Sequence, residues 1–169
     1  MRVRVAFSAS DNWIGRIIRW FTGGGVNHAV LFLEDTGPLG DLILESDSRG
    51  CHLTTAAKMG KLARIIDPPV NLERAVIEAM GWIDEPYDWT GLLGMSIVCA
   101  ARWVGKAVRN PWHEPRTMFC SEFIVWVLRE AWCPGALELD PASTDPETLL
   151  NFLVEQRIIM LDREFAERK

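Results

Sequence analysis

The sequence contains no segment long enough to span a membrane and no secretory signal. Its longest weakly polar stretch, Leu92 to Ala101, is followed directly by Arg102, whereas a spanning helix needs about 20 apolar residues. The first residues, MRVRVAFSASDNW, lack the apolar run of a cleavable signal. These absences predict a cytoplasmic protein, and we expect no contact with a membrane.

Clustered positive charge and metal-binding motifs are also scarce. The chain has 18 Lys and Arg against 23 Asp and Glu, a formal net charge of -5, whereas phosphate backbones are bound by a concentrated basic surface. We therefore expect no nucleic-acid partner. There is no CxxC or HExxH motif and there are 3 histidines, so the sequence predicts no metal and no other cofactor.

The composition is that of an ordinary globular protein. Of the 169 residues, 49% are apolar and 24% are charged, which is enough to bury a core. We see no repeat, linker or low-complexity tract, so residues 1–169 are predicted to form one domain. The cysteines at positions 51, 99, 120 and 133 are expected to be thiols in a reducing compartment.

Hydrophobic periodicity predicts an α+β fold in which a small antiparallel sheet packs against helices. Strands are predicted at residues 2–8, 26–33, 42–45, 51–54, 63–66 and 157–161, the last from the run RIIML. Helices are predicted from Ser10 or Asp11 to Phe21, at 72–83, 89–108 and 121–132, and from Pro146 after a cap at Asp145. The strands at 26–33 and 42–45 are expected to pair as a hairpin, separated by EDTGPLGD.

Cys120 is the strongest candidate for a reactive group. It stands at the start of the apolar helix FCSEFIVWV, directly after an irregular segment, and a helix N-terminus stabilises the nucleophilic thiolate form. The same backbone N–H groups can hold an oxyanion. A single cysteine is more often just a small buried apolar residue, and that interpretation is kept for Cys99 and Cys133.

Two polar side chains lie in otherwise apolar strands. His28 interrupts VNHAVLFL, and Glu45 ends the apolar run of LILE. A nucleophilic cysteine needs a base, and a third polar group fixes the orientation of the ring of that base. If the two strands pair, His28 and Glu45 come together. His52 and His113 are the competing bases, although surface or structural roles suit both of them better.

These motifs, taken in their order along the chain, resemble circularly permuted NlpC-like papain-fold cysteine hydrolases, including the YiiX-like group. The lecithin retinol acyltransferase-like proteins are related to that family. The segments that carry the resemblance are IIRWFTGGGVNHAVLFL, LILESDSRGCHL, EPYDWTGLLG, FCSEFIVWV and STDPETLL. The histidine and the third polar residue precede the cysteine here, as they do in the permuted group, whereas the cysteine comes first in the unpermuted enzymes.

The resemblance implies a papain-like fold and a catalytic site. It makes Cys120 the nucleophile, His28 the general base and acid, and Glu45 the group that orients the imidazole. The implied activity is that of a cysteine peptidase or amidase, which cleaves an amide bond through a thioester. The implied substrate is a bacterial cell-wall peptide or a related small peptide, as for a bacterial or phage hydrolase, so release to the wall or to a phage particle stays open.

A substrate-binding set follows from the same resemblance. Tyr87 is expected to line the cleft, and Asn27 and Ser121, each adjacent to a catalytic residue, are assigned to substrate binding. Trp103, Trp112 and Tyr87 are candidates for an aromatic wall, although tryptophans at helical spacing more often belong to a core. The segment from 92 to 116 and the CHL at 51–53 fit the family pattern least well, and substrate choice is expected there.

Two other functions stay open. The acyltransferase-like relatives carry a second histidine on the neighbouring strand and an Asn-Cys-Glu motif, whereas this chain has Glu45 and Phe119-Cys120-Ser121, which favours hydrolysis. A lipid-directed acyltransferase or thioesterase would need an apolar groove. The segment from Leu92 to Val108 is the part of the sequence that distinguishes this possibility from the hydrolase. The third possibility is a binding module that keeps the fold without turnover.

Overall fold

The computed structural model describes residues 1–11, 13–58, 62–112, 114 and 116–167 of the chain, and the side chains of residues 13–14 and 161–167 are outside that description. The fold is α+β, as predicted, with a five-stranded antiparallel sheet and five α-helices. His113, one of the competing bases, lies outside the described residues.

The sheet carries the first half of the chain. Its strands are β1 (Arg2–Ser8), β2 (His28–Glu34), β3 (Leu42–Asp47), β4 (Gly50–Thr55) and β5 (Leu62–Ile66). They are arranged in the order β4-β3-β2-β1-β5, and all neighbours are antiparallel. The predicted hairpin is confirmed, because β2 pairs with β3.

Helices dominate the second half. They are α1 (Trp13–Thr22), α2 (Glu73–Ala79), α3 (Trp89–Trp103), α4 (Cys120–Glu130) and α5 (Pro146–Glu167). The predicted cap of α5 is present, since Asp145 Oδ1 accepts hydrogen bonds from the backbone N–H groups of Glu147 and Thr148, both at 3.0 Å. The helix predicted at 89–108 is too long, because α3 ends at Trp103.

The predicted strand at 157–161 is wrong, because RIIML continues helix α5. The prediction relied on the β-branched isoleucines, whose strand preference depends on context. Leu149 and Leu153, fully buried at a spacing of four, anchor the helix earlier in its length. Ile158 and Ile159 are exposed on the surface of this helix. They therefore lack the packing against neighbouring strands that would favour a strand conformation.

The main core lies between one face of the sheet and helices α2, α4 and α5. Alternate residues of the central strands, such as Val5 and Leu31, pack there with Phe123 and Leu128 of α4. The opposite face of the sheet carries a smaller cluster of Ala6, Val30, Phe32 and Ile43. Helix α4, buried along most of its length as predicted, therefore lies directly against the strands that carry His28 and Glu45.

A close contact with the start of α5 fixes the entry into β2. The Glu147 carboxylate accepts hydrogen bonds from the backbone N–H groups of Gly25 at 2.8 Å and Val26 at 3.2 Å. Gly24 fits against the same side chain only because it lacks a Cβ, which would collide with the Glu147 carboxylate. The glycine run thus sets the position from which the chain continues to His28.

The four cysteines are free thiols in the structure and all four are buried. Among the described residues, no helix is both long enough and apolar enough to cross a membrane.

Candidate active site

Helix α4 begins at Cys120, as the sequence predicted. The preceding Phe119 has an extended backbone, and its N–H donates a hydrogen bond to the Glu122 carboxylate at 3.4 Å. This contact fixes the first turn of the helix. The Cys120 side chain is largely buried, with 3% of the residue exposed, and its sulfur lines a cavity beside the sheet.

His28 and Glu45 lie on the same face of the sheet. In the β2–β3 ladder Leu31 lies opposite Leu44 and Phe32 opposite Ile43, and continuing this register makes His28 and Glu45 diagonal neighbours. Diagonal pairs on one face are within reach of long side chains. His28 Nε2 and Glu45 Oε2 are 2.6 Å apart, a short distance typical of a charge-assisted hydrogen bond.

His28 also interacts with Cys120. Its Nε2 is engaged by Glu45, and the Cys120 thiol is the other titratable group that acts on the imidazole. Burial alone would lower the pKa of His28, but Cys120 and then Glu45 outweigh it and raise the pKa to about 10. The imidazole is thus held in its cationic form near neutral pH.

The Cys120 thiol shows the reverse shift. Burial opposes ionisation, but the His28 imidazolium lowers the pKa of the thiol below its ordinary 9.0 by charge and by a hydrogen bond, and the backbone N–H groups of Ala29 and Ser121 add two further hydrogen bonds. Both shifts favour the charged forms, and the thiolate is the form in which a cysteine acts as a nucleophile.

Glu45 has a second neighbour that the sequence analysis treated as a competitor. His52, directly opposite Glu45 in the β3–β4 ladder, places its Nε2 3.4 Å from Glu45 Oε1. Its Nδ1 lies 3.0 Å from the carbonyl oxygen of Gly50. His52 therefore lies behind the carboxylate, on the side away from His28, and does not replace His28 as the base beside Cys120.

A polar cleft of about 310 Å³ opens onto these groups. Cys120, His28 and Glu45 form part of its wall, and Ser8, Ser10, Asp47, Ser48, Arg49 and Lys58 supply further polar or charged side chains. Tyr87 also lines it, as expected, and its ring packs edge-on against Trp89 with centroids 5.0 Å apart. Burial first, and then the negative charge of Cys120, raise the pKa of the Tyr87 phenol well above 10, so the hydroxyl remains a donor.

The two other predicted substrate-binding residues have different surroundings. Asn27 borders the cleft, but its side chain is engaged with Ser10, donating to the carbonyl oxygen at 2.7 Å and accepting from the N–H at 3.0 Å. The Ser121 hydroxyl is buried without a hydrogen-bond partner among the described residues, and Ser121 contributes its backbone N–H to Cys120 instead. Asn27 thus holds the loop at the rim of the cleft.

Of the residues predicted to form an aromatic wall, Tyr87 lines the polar cleft and the two tryptophans do not. Trp103 packs against Trp20 of helix α1, with ring centroids 5.2 Å apart, and Trp112 is largely exposed; neither lines the polar cleft. Trp89 supplies the second ring beside Tyr87. Sequence analysis missed Trp89, although its position two residues after Tyr87 in EPYDWTGLLG was a usable signal.

A second cavity, of about 250 Å³, lies between α1 and α3 and was not predicted as such. Its walls are mostly apolar, with Ile17, Phe21, Leu93, Met95 and Cys99 among them. Sequence analysis had assigned the apolar stripe of α1 no role beyond helix packing. The two cavities share Ile18, Trp89 and Leu92 as lining residues, so they adjoin.

One cluster, which includes Glu45, has the composition of a metal site. Glu45, Asp47 and His52 each place a potential ligand atom within 4.8 Å of the others. Arg49, however, donates a hydrogen bond to Asp47 at 2.8 Å and lies 3.8 Å from Glu45. This guanidinium already supplies one positive charge to the two carboxylates, where a metal ion would add more of the same sign.

Cys120, His28 and Glu45 together provide a nucleophile, a proton carrier and a group that orients it, as covalent catalysis requires. No protein family model matches the chain, and no curated protein is significantly similar to it in sequence.

Proposed function

We propose that the protein is a cysteine-dependent hydrolase that cleaves an amide bond through a thioester intermediate. The observation that carries the proposal is that Cys120, His28 and Glu45 line one cleft, with His28 Nε2 2.6 Å from Glu45 and the same imidazole acting on the Cys120 thiol. This order of groups is the one that activates a cysteine for attack on a carbonyl carbon. The polar cleft gives a substrate access to the sulfur.

In the first half of the reaction, the Cys120 thiolate attacks the carbonyl carbon of the amide. A carbon–sulfur bond forms, and the carbonyl electrons move to oxygen. When the tetrahedral intermediate collapses, the carbon–nitrogen bond breaks and the His28 imidazolium gives its proton to the departing amine. The acyl group is then held on Cys120 as a thioester.

In the second half, a water molecule attacks the thioester carbonyl while neutral His28 takes its proton. The carbon–sulfur bond breaks, the acid leaves, and the thiolate and imidazolium are restored. Glu45 keeps the imidazole oriented in both halves and stabilises its cationic form. The net reaction consumes one water and yields a carboxylic acid and an amine.

The developing oxyanion has donors close to Cys120. The first N–H groups of an α-helix have no intrahelical partner, and α4 begins at Cys120 itself. The protonated Tyr87 hydroxyl lies across the same cleft. Donors fixed in advance at such a position are usually a large part of the catalytic effect.

For the fold, we propose the circularly permuted papain-like arrangement. It is supported by the order along the chain, in which the histidine strand β2 and the carboxylate strand β3 precede the cysteine helix α4. Helix α4 packs against β2 and β3, so the site joins the end of a helix to the face of a sheet. For the substrate, the serines and charges of the cleft support a polar molecule such as a cell-wall peptide or a related small peptide.

The apolar cavity favours a second candidate, a lipid-directed acyltransferase or thioesterase. The same thioester on Cys120 would then be formed from, or passed to, a lipid. Such an enzyme needs an apolar site beside its nucleophile, and the cavity between α1 and α3 adjoins the cleft. The reactions differ only in the acceptor of the acyl group.

Acid-quench mass spectrometry of the intact protein tests the proposed function. The protein is mixed with wall-derived peptides and with short acyl amides, and the reaction is stopped within a turnover. We expect an acyl adduct that maps to Cys120 and a free amine product, both absent in Cys120→Ala and retained in Cys99→Ala. Product formation that persists in Cys120→Ala would refute the proposal.

A further inference from the structure

The polar cleft and the apolar cavity share one wall. Ile18 of α1 and Trp89 and Leu92 of α3 line both spaces, while Cys120 lines only the polar one. A substrate that crosses this shared wall can therefore have one end in apolar surroundings and its reacting carbon at the sulfur. The polar cleft would hold the other end.

The surroundings on the two sides of that wall differ in chemical character. The cavity between α1 and α3 is apolar except for Thr22 and Ser96. Its Cys99 is buried, and burial raises the pKa of this thiol to about 11, so it adds no charge. The polar cleft, by contrast, contains Asp47, Arg49 and Lys58.

The mouth of the apolar cavity is open to solvent. Leu93 is 63% exposed and Trp89 is 46% exposed, although both line the cavity. Ligand pockets are concave and lined mainly by apolar and aromatic side chains, as this one is.

We infer that the apolar cavity binds the acyl chain of the substrate, and that the substrate is an amide joining an unbranched apolar acyl group to a polar amine. The inference rests on the proposed function, because it places the carbonyl carbon of that amide at Cys120. The acyl chain passes Ile18, Trp89 and Leu92 into the cavity between α1 and α3. The amine part, an amino acid or a short peptide, stays among the charged groups of the polar cleft.

The chemistry is the hydrolysis already described, with this substrate. The carbon–nitrogen bond breaks, the amine leaves with the proton from His28, and the acyl chain remains on Cys120 until water releases it as a carboxylic acid. No further reactant is needed. Burial of each additional methylene in the cavity raises kcat/KM by up to roughly fourfold until the space is filled.

A chain-length series tests the inference. N-acetyl, N-butanoyl, N-octanoyl and N-dodecanoyl amides of one amino acid are compared as substrates. We expect kcat/KM to rise from the acetyl to the octanoyl amide by at least about tenfold, well within the transfer free energy of the added methylenes. Ser96→Phe, which fills the cavity without touching the polar cleft, should remove the preference and leave the acetyl amide cleaved.

Ile97→Phe is the matched control. It adds the same ring on the same helix, at an exposed position that does not line either cavity. It should keep the chain-length preference. Calorimetry of decanoic acid with Cys120→Ala supplies a readout without turnover, in which we expect saturable binding that Ser96→Phe weakens at least about tenfold and Ile97→Phe leaves unchanged.

The outcomes separate the inference from the proposed function. Cleavage that depends on Cys120 but not on chain length, with no binding of decanoic acid, would overturn the acyl-chain site and leave the hydrolase intact. Binding of decanoic acid that Ser96→Phe abolishes, without any cleavage that depends on Cys120, would support the site and refute the hydrolase. A chain-length preference unchanged in Ser96→Phe would also overturn the inference.

Discussion

Cys120 and Cys99 are the same residue type and equally buried, but the pKa values of their thiols shift in opposite directions. Each is 3% exposed. Burial raises the pKa of Cys99 to about 11, whereas the pKa of Cys120 is lowered by His28 and by the N–H groups of Ala29 and Ser121 against the same effect of burial. Cys99 lines the apolar cavity and Cys120 the polar cleft.

The other buried cysteines behave like Cys99. The pKa of Cys51 is raised to about 12 by burial and by nearby carboxylates, and that of Cys133 to about 11 by burial. Burial is therefore the common condition of cysteine in this protein, and it makes the thiol inert. Reactivity at Cys120 requires the imidazole and the helix N–H groups in addition.

Removal of the imidazole should give the largest effect. In His28→Ala, Cys120 loses both its charge partner and a hydrogen bond, so its pKa should rise toward those of the other buried thiols. The proton donor for the departing amine is lost as well. We expect kcat/KM to fall by about 10³-fold or more. Steady-state kinetics on an amide substrate measure it, and full activity would contradict the assigned roles and redirect attention to His52 or His113.

Glu45→Gln should give a smaller loss. The variant keeps a polar side chain beside His28 Nε2 but removes the negative charge that helps to raise the pKa of His28. We expect a fall in kcat of about a hundredfold and a lower basic limit of the pH profile, with little change in thermal stability. His52→Gln is the comparison, because it alters the other side of the carboxylate and should affect kcat much less.

Tyr87→Phe tests the cleft without altering the cysteine–histidine pair. It removes one hydroxyl donor and keeps the ring that packs against Trp89. We expect kcat to fall about tenfold, because helix N–H groups remain to hold the oxyanion. Alkylation of Cys120 should be almost unchanged. A variant in which alkylation falls as much as turnover would show that Tyr87 acts on the thiol rather than on the intermediate.

Chelation should give the smallest effect of all. Since the thiolate is generated by His28, dialysis against a chelator is expected to leave kcat unchanged, while thiol reagents abolish it. The cluster of Glu45, Asp47 and His52 makes this a real test. Loss of activity that zinc restores would refute the cysteine mechanism and make those three residues metal ligands.

The grouping of Cys120, His28 and Glu45 at one cleft could be predicted because each residue stands out in its own segment. A histidine in an apolar strand and a cysteine at the start of an apolar helix are visible in the sequence, and the glycine and proline residues between β2 and β3 indicate their hairpin. The contact between Glu45 and His52 was not predicted, because the sequence analysis paired the strand at 42–45 only with the strand at 26–33 and not with the strand at 51–54, which lies on its other side.

The apolar cavity could not be predicted from the sequence for a different reason. The stripe that includes Ile17, Ile18 and Phe21 has the period of any core-facing helix, and only the packing of α1 beside α3 leaves a space there. The wrong strand at 157–161 has a similar origin, because its isoleucines are compatible with a helix surface or a strand. In both cases neighbours distant in sequence decide the outcome.

The pH dependence of alkylation tests the central claim most directly. The native protein is treated briefly with iodoacetamide from about pH 5 to about pH 10, and the label on each cysteine is quantified by peptide mapping; thiolate, not thiol, reacts. We predict that Cys120 is labelled first, with a midpoint below 9.0 because His28 lowers its pKa, and that His28→Ala moves this midpoint upward. Preferential labelling of Cys51, Cys99 or Cys133, or a Cys120 midpoint unchanged in His28→Ala, would contradict the account.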